Sequence, residues 1–259
     1  MPAKEEVPAS QGALGHVPPQ EALPLLLVPG LLTSPRLYAG QLPALWRYGP
    51  VMVADNTGSD TIAGIASGIL AAAPPRFALA GLSMGGYISL EIMRQAPGRV
   101  ARLALLDTSA RPDTPAQRER RQRQMAETQA GHFDEIPGEL WPLLVGPAAM
   151  DSPELWEIVQ RMAEETGPEA FIRQQLAIMS RSDSRPHLGA ITCPTLVLVG
   201  DSDALTPPEL SVELAAGIPG ARLVKIPGSG HLSTLEQPAL VTDALEEWLS
   251  APQPRTVLK

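Results

Sequence analysis

The sequence predicts an α/β fold in which a mostly parallel central sheet of about six strands is flanked by helices and interrupted by an inserted helical cap. Three observations carry this. From Leu23 onward, short uninterrupted apolar runs alternate with amphipathic segments, and a run without period-two alternation marks a strand buried on both faces. The turns after these runs hold glycine and polar residues, at the carboxyl ends of strands, where open parallel sheets place their sites. The rhythm breaks once, between Arg111 and about His187, where helix signals continue without a strand.

Taken in order, residues 1–22 read as a loose leader. Pro2, Pro8, Pro18 and Pro19 stand among polar residues, without the basic start and apolar stretch of a signal peptide, so a cytoplasmic protein is expected. Strands are expected at Pro24 to Val28, Val51 to Ala54, Phe77 to Ala80, Leu103 to Leu106, Thr195 to Val199 and Arg222 to Ile226. Within the strand-free stretch, Thr114-Pro115 and Ser152-Pro153 each read as an N-cap followed by proline at the first helical position, and Gly131 and Gly167 as stop signals. Leu155, Ile158, Val159 and Met162 share one helical face and require an apolar neighbour. The expected organisation is a leader at 1–22, one domain at 23–251 with its core in 23–110 and 188–251 and the cap in 111–187, and a tail at 252–259.

A chain of 259 residues is long enough for one large domain. Its net charge of −8 opposes phosphate backbones and anionic lipid, which disfavours nucleic acid and membrane as partners. The basic run Arg118, Arg120, Arg121, Arg123 reads as a solvated helix face. A lone Cys193 permits no intrachain disulfide and reads as a small hydrophobe. His16, His132, His187 and His231 lack carboxylates or thiols at ligand spacing, so neither a metal nor a cofactor is expected. No apolar run approaches the roughly 20 residues that cross a bilayer.

The segment Phe77 to Tyr87, FALAGLSMGGY, runs from a strand through Gly81-Leu82-Ser83-Met84-Gly85 into an amphipathic helix. That is the setting of a nucleophile elbow. A strand that turns sharply into a helix brings the positions two before and two after the serine almost into contact, and Gly81 and Gly85 remove the side chains that would collide. A serine hydroxyl needs a base within hydrogen-bond reach and a third group to orient that base. His231, in Gly228-Ser229-Gly230-His231 after the last expected strand, is the candidate base. The helix after it is expected to turn Leu235, Leu240, Val241, Ala244, Leu245 and Trp248 inward. For the acid, Asp203 is preferred because it lies deeper in the loop Gly200-Asp201-Ser202-Asp203; Asp201 reads as a turn-former, and Asp107, at the end of the strand Leu103 to Leu106, is the third candidate. The oxyanion donors expected in this architecture are the backbone N–H groups of Met84 and Leu31.

The motifs VPGLLTS, GLSMGG, GDSDALTPP and GSGHLSTLEQP, in that order, resemble the α/β-hydrolase superfamily, specifically its small capped bacterial esterase and lipase-like members. The resemblance spans about Leu23 to Leu249 and implies a cap inserted after the sixth of the usual eight strands. Two departures stand out: Pro29-Gly30 replaces the His-Gly of many relatives, and the leading hairpin is not visible before Leu23, so a sheet of six strands is expected.

Three functions compete. The first is hydrolysis of a small or medium, fairly apolar carboxylic ester through an acyl-enzyme on Ser83, with a small-molecule ester as the partner. The second is cleavage of a carbon–carbon bond or an enol-lactone by the same triad. There Arg173, Arg181 and Arg185 become candidate partners of a substrate carboxylate, although each reads first as a solvated residue. The third is a non-catalytic ligand-binding protein on this fold. Dehalogenase and epoxide hydrolase chemistry is disfavoured because the elbow residue is serine, not aspartate. Trp141, Trp156, Phe133, Phe171, Met150, Met162 and Met179 offer apolar lining in the cap, with packing between helices the default for each.

Overall fold

In a computed structural model, which describes residues 23–251, the strands are β1 (Leu25–Val28), β2 (Val51–Val53), β3 (Phe77–Leu82), β4 (Val100–Leu106), β5 (Thr195–Gly200) and β6 (Arg222–Ile226). The expected leader and tail lie outside the described residues. The six strands form one all-parallel sheet in the order β2-β1-β3-β4-β5-β6. After β1 the chain crosses to one side for β2 and returns to the other for β3. The crevice between the carboxyl ends of β1 and β3 is therefore the topological switch point, where such sheets bind ligands.

The helices are α1 (Leu42–Leu45), α2 (Ile62–Ala72), α3 (Met84–Gln95), α4 (Pro115–Gln129), α5 (Ile136–Leu144), α6 (Pro153–Thr166), α7 (Pro168–Ser180), α8 (Pro208–Gly217), α9 (Ser233–Glu236) and α10 (Pro238–Ser250). Successive strand residues feed opposite layers. Leu26, Val28, Leu79, Leu103 and Val197 pack with Ile65, Ile88, Ile92 and Leu214 on one face. Leu25, Leu27, Ala80, Leu106 and Leu198 pack with Tyr38, Leu45, Val241, Leu245 and Trp248 on the other. Covering both faces is what makes the strand runs continuously apolar.

Two expectations need correction. β4 begins at Val100, three residues before the apolar run suggested, and so includes Arg102. That guanidinium is buried and donates to the carbonyls of Trp248 and Ala251 at the end of α10, so a charge that reads as a strand boundary serves as a tie between layers. Leu240 points outward and is 41% exposed, because Val241, Ala244, Leu245 and Trp248 already fill the inward stripe at helical spacing.

The stretch between β4 and β5 holds α4 to α7 and no strand. Thr114 and Gln117 close a capping box at the start of α4, and Ser152 accepts from the Leu155 amide at the start of α6. Gly131 and Gly167 have positive φ at the ends of α4 and α6.

Candidate active site

Ser83 sits between β3 and α3 with φ 58° and ψ −117°, a conformation that costs a side chain about 1–3 kcal/mol. The surroundings hold it there. Its amide donates to Leu106 O at 2.9 Å, and its carbonyl accepts from the Gly86 amide at 2.9 Å and from Thr108 Oγ1 at 2.7 Å. A Cβ on Gly81 would lie 2.2 Å from Gly85 O, and one on Gly85 would lie 2.0 Å from Val28 O, so the elbow closes only around glycine at both positions.

His231 is buried, and its Nδ1 lies 2.8 Å from Asp203 Oδ2. A carboxylate only accepts, so Nδ1 carries the proton and Nε2 keeps its lone pair. Nε2 has no hydrogen-bond partner among the described residues, and His231 lines the same cavity as Ser83. Asp203 is itself fixed: Oδ1 accepts from the Leu205 and Thr206 amides, both at 2.9 Å, and Oδ2 from Thr206 Oγ1 at 2.7 Å. Burial works to raise the Asp203 pKa, but the His231 charge and bond and the two Thr206 donors outweigh it and hold the carboxyl below the usual range. For His231, burial opposes the charge, and the opposing pull of Asp203 leaves the imidazole pKa raised.

The other two acid candidates are elsewhere engaged. Asp201 is exposed and accepts from the Gly228 amide at 3.0 Å, the turn role expected of it. Asp107 is fully buried with φ 45°, accepting from the Gly200 amide at 2.8 Å and from Ser233 Oγ. Burial, reinforced by the nearby Asp203 charge, pushes its carboxyl well above the usual range.

The loop after β1 enters the same cavity through Gly30, Leu31 and Thr33. The amides of Leu31 and Met84 donate to no acceptor among the described residues, whereas the next amide, Leu32 N–H, is bound by Gln174 Oε1 at 3.1 Å. Gln174 Nε2 donates to Asn56 Oδ1 at 2.9 Å, and Asn56 Nδ2 donates to Pro29 O and Gly30 O at 2.9 and 3.1 Å. This buried amide pair fixes the loop and was not singled out in the sequence, since asparagine and glutamine carry no motif. Glu236 is a second such residue. Its carboxylate accepts from the Gly230 amide beside His231 and, at 2.7 Å, from the Gly146 amide beyond α5.

The cavity measures about 40 Å³. Leu31, Leu140, Leu144, Ile178, Leu205 and Leu232 form its apolar wall, and Gln117, Arg120, Arg121 and Gln124 of α4 its polar wall. The basic run is thus not wholly a solvated face: helical spacing turns Arg120 and Arg121 inward, and Arg121 is buried. The aromatic residues between β4 and β5 do not line this cavity. Trp141 and Trp156 pack edge to face at 5.3 Å, and Phe133 and Phe171 pack with tilted rings at 5.8 Å. Arg173 donates to Thr57 O, Arg181 pairs with Asp113 and Arg185 with Asp183, so none of the three basic candidates reaches the cavity. A larger cavity of about 440 Å³ adjoins Tyr87 but touches none of Ser83, Asp203 and His231; its size does not make it the site.

Residues 25–244 match the model of the alpha/beta hydrolase family. The chain belongs to that family. It is 29% identical over 254 residues to a putative carbamate hydrolase, RutD, of Variovorax paradoxus (strain S110), covering 90% of this chain and 93% of the relative. A thermophilic esterase from Thermogutta terrifontis, solved with malate bound, is 34% identical with a TM-score of 0.80, over 88% of this chain and 89% of that one. The enol-lactonase from Burkholderia xenovorans LB400 shares the fold, with a TM-score of 0.82 at 24% identity over 89% of this chain and 92% of its own. Within the family this chain is a hydrolase, and no helix among the described residues is long and apolar enough to cross a membrane.

Proposed function

We propose that this hydrolase cleaves a carboxylic ester of a small or medium molecule through an acyl-enzyme on Ser83. His231 Nε2 takes the Oγ proton as Oγ attacks the carbonyl carbon, and the Leu31 and Met84 amides hold the resulting oxyanion. His231 then returns the proton to the leaving alkoxide. In the second half, His231 deprotonates water, which attacks the acyl carbon, and the proton goes back to Ser83 Oγ as the acid departs. Asp203 keeps the imidazole in the tautomer that begins each half. The helices α4 to α7 act as a cap over the site, supplying Leu140, Leu144 and Ile178 to the substrate wall.

The observation that carries this reading is the Asp203–His231 bond, which leaves an unpartnered Nε2 on an imidazole that lines the same cavity as a strained serine. The named activities of the relatives, carbamate and ester hydrolysis, both break a bond from an acyl carbon to a heteroatom. The test is Ser83→Ala. Hydrolysis of p-nitrophenyl esters falls by at least about three orders of magnitude, and a fluorophosphonate labels Ser83 in the wild type alone. Undiminished turnover in the variant would remove the serine from the mechanism.

A further inference from the structure

The wall of the cavity formed by α4 is polar where an apolar substrate would call for leucine. Gln117, Arg120, Arg121 and Gln124 are spaced at i, i+3, i+4 and i+7, so one helical stripe presents two amides and two guanidinium groups to the space that Ser83 also lines. Three of the four are committed. Gln117 closes the cap of α4. Gln124 bridges Gln175 and Glu139. Arg121 donates to Asp113 and to Gln175, both at 2.8 Å.

Arg120 is different. It is half-buried and has no hydrogen bond or ion pair among the described residues. The two carboxylates close enough to act on it are engaged by others: Asp113 by Arg121 and Arg181, and Glu139 by Arg123 and Gln124. The cluster therefore sets four guanidinium groups, Arg120, Arg121, Arg123 and Arg181, against two carboxylates. An excess of positive charge stands over the candidate site of a chain whose net charge is −8. Burial and the Arg121 charge lower the Arg120 pKa, yet a guanidinium stays charged in proteins. A half-buried guanidinium whose nearest carboxylates are already engaged by other groups keeps its own fork of donors available to an anion that enters the cavity.

We infer that Arg120 binds a free carboxylate on the substrate, so that the ester cleaved at Ser83 belongs to a molecule that also carries an acid group. A carboxylate matches the planar fork of a guanidinium through two parallel bonds. The assignment rests on Ser83 acting as the nucleophile, and it narrows the substrate to anionic esters, such as half-esters of dicarboxylic acids.

The test compares p-nitrophenyl hemiglutarate with p-nitrophenyl valerate, and the butyryl ester of glycolic acid with ethyl butyrate, so that the acid group is offered on either side of the scissile bond. In at least one pair the ratio of kcat/KM, anionic over neutral, falls about tenfold or more in Arg120→Gln, as expected for a lost charge-assisted bond, and Arg120→Lys restores part of it. Glutarate binding, followed by calorimetry against glutaramide as control, weakens in the same variant and with rising salt. Ratios unchanged by Arg120→Gln in both pairs, with neutral-ester turnover and fluorophosphonate labelling present, overturn the Arg120 assignment and leave the serine chemistry standing. Arg120-dependent glutarate binding in a protein that hydrolyses none of the four esters does the reverse.

Discussion

At the scale of single residues, the bond between Asp203 and His231 sets the tautomer and raises the pKa of the proposed base. The base must be neutral to accept the Ser83 proton, and its pKa is raised, so the acid limb of the wild-type kcat/KM profile lies above the ordinary imidazole range of about 6.5. Asp203→Asn removes the opposing charge while burial remains. Turnover then drops by about two to four orders of magnitude, and the acid limb moves to lower pH, which a pH profile of the residual activity reads directly. Loss of activity in Asp107→Asn with retention in Asp203→Asn would transfer the orienting role to Asp107. The elbow at Ser83 and the loops that hold Asp203 and His231 were legible in sequence because a sharp elbow forces glycine at fixed offsets and because strand ends announce the loops that follow them. Arg120 was not legible as a pocket residue. A run of arginines separated by Glu119 and Gln122 has the same composition on a wet face as on a buried one, and only the packing of α4 against α7, which also holds Gln175, decides which arginines turn inward.

At the scale of elements, the loop after β1 depends on α7. Gln174 alone spans from the Leu32 amide to Asn56, so Gln174→Leu leaves the buried Leu32 amide and Asn56 Oδ1 without partners, costing about 1–3 kcal/mol of stability in urea unfolding. The same change lets the Leu31 amide drift from its aim. Kinetically it appears as a fall in kcat per active site, counted by fluorophosphonate labelling, with KM little altered; the count of active sites separates this from a loss of folded enzyme. On α5, Leu140 and Leu144 line the cavity, whereas Trp141 donates to Met150 O and packs on Trp156. Leu144→Ala therefore shifts preference toward longer acyl chains in a p-nitrophenyl ester series, while Trp141→Ala lowers the melting temperature and leaves the preference in place. Helix boundaries in this region follow Ser, Thr, Pro and Gly signals that act locally, which is why they could be read from sequence. Which face of each helix meets the substrate is a tertiary outcome, and large aromatic residues were a poor guide to it.

For the whole molecule, the all-parallel sheet was legible because burial on both faces removes polar residues from its strands, and β4 was misplaced by three residues where Arg102 breaks that rule while remaining buried. The candidate site leaves a signature in the pH dependence of folding. The Asp203 contribution is present above its unfolded pKa of about 3.9 and is lost as pH falls through the depressed folded value, and the His231 contribution is present below about 6.5 and is lost as pH rises through the raised folded value. Urea midpoints of wild type and Asp203→Asn thus diverge most between those ordinary values and converge toward both extremes. The Glu236 carboxylate joins the Gly230 amide to the Gly146 amide, and the Leu232 amide donates to Leu144 O at 3.0 Å, so the loop that carries the base and the far end of α5 are one mechanical piece. A substrate bulky enough to lever α5 outward is expected to drag the imidazole away from Ser83. On the proposed ester chemistry, the length of an acyl chain is then measured in the speed of the reaction: past the size that the leucine wall accepts, kcat declines even where added apolar surface still tightens binding.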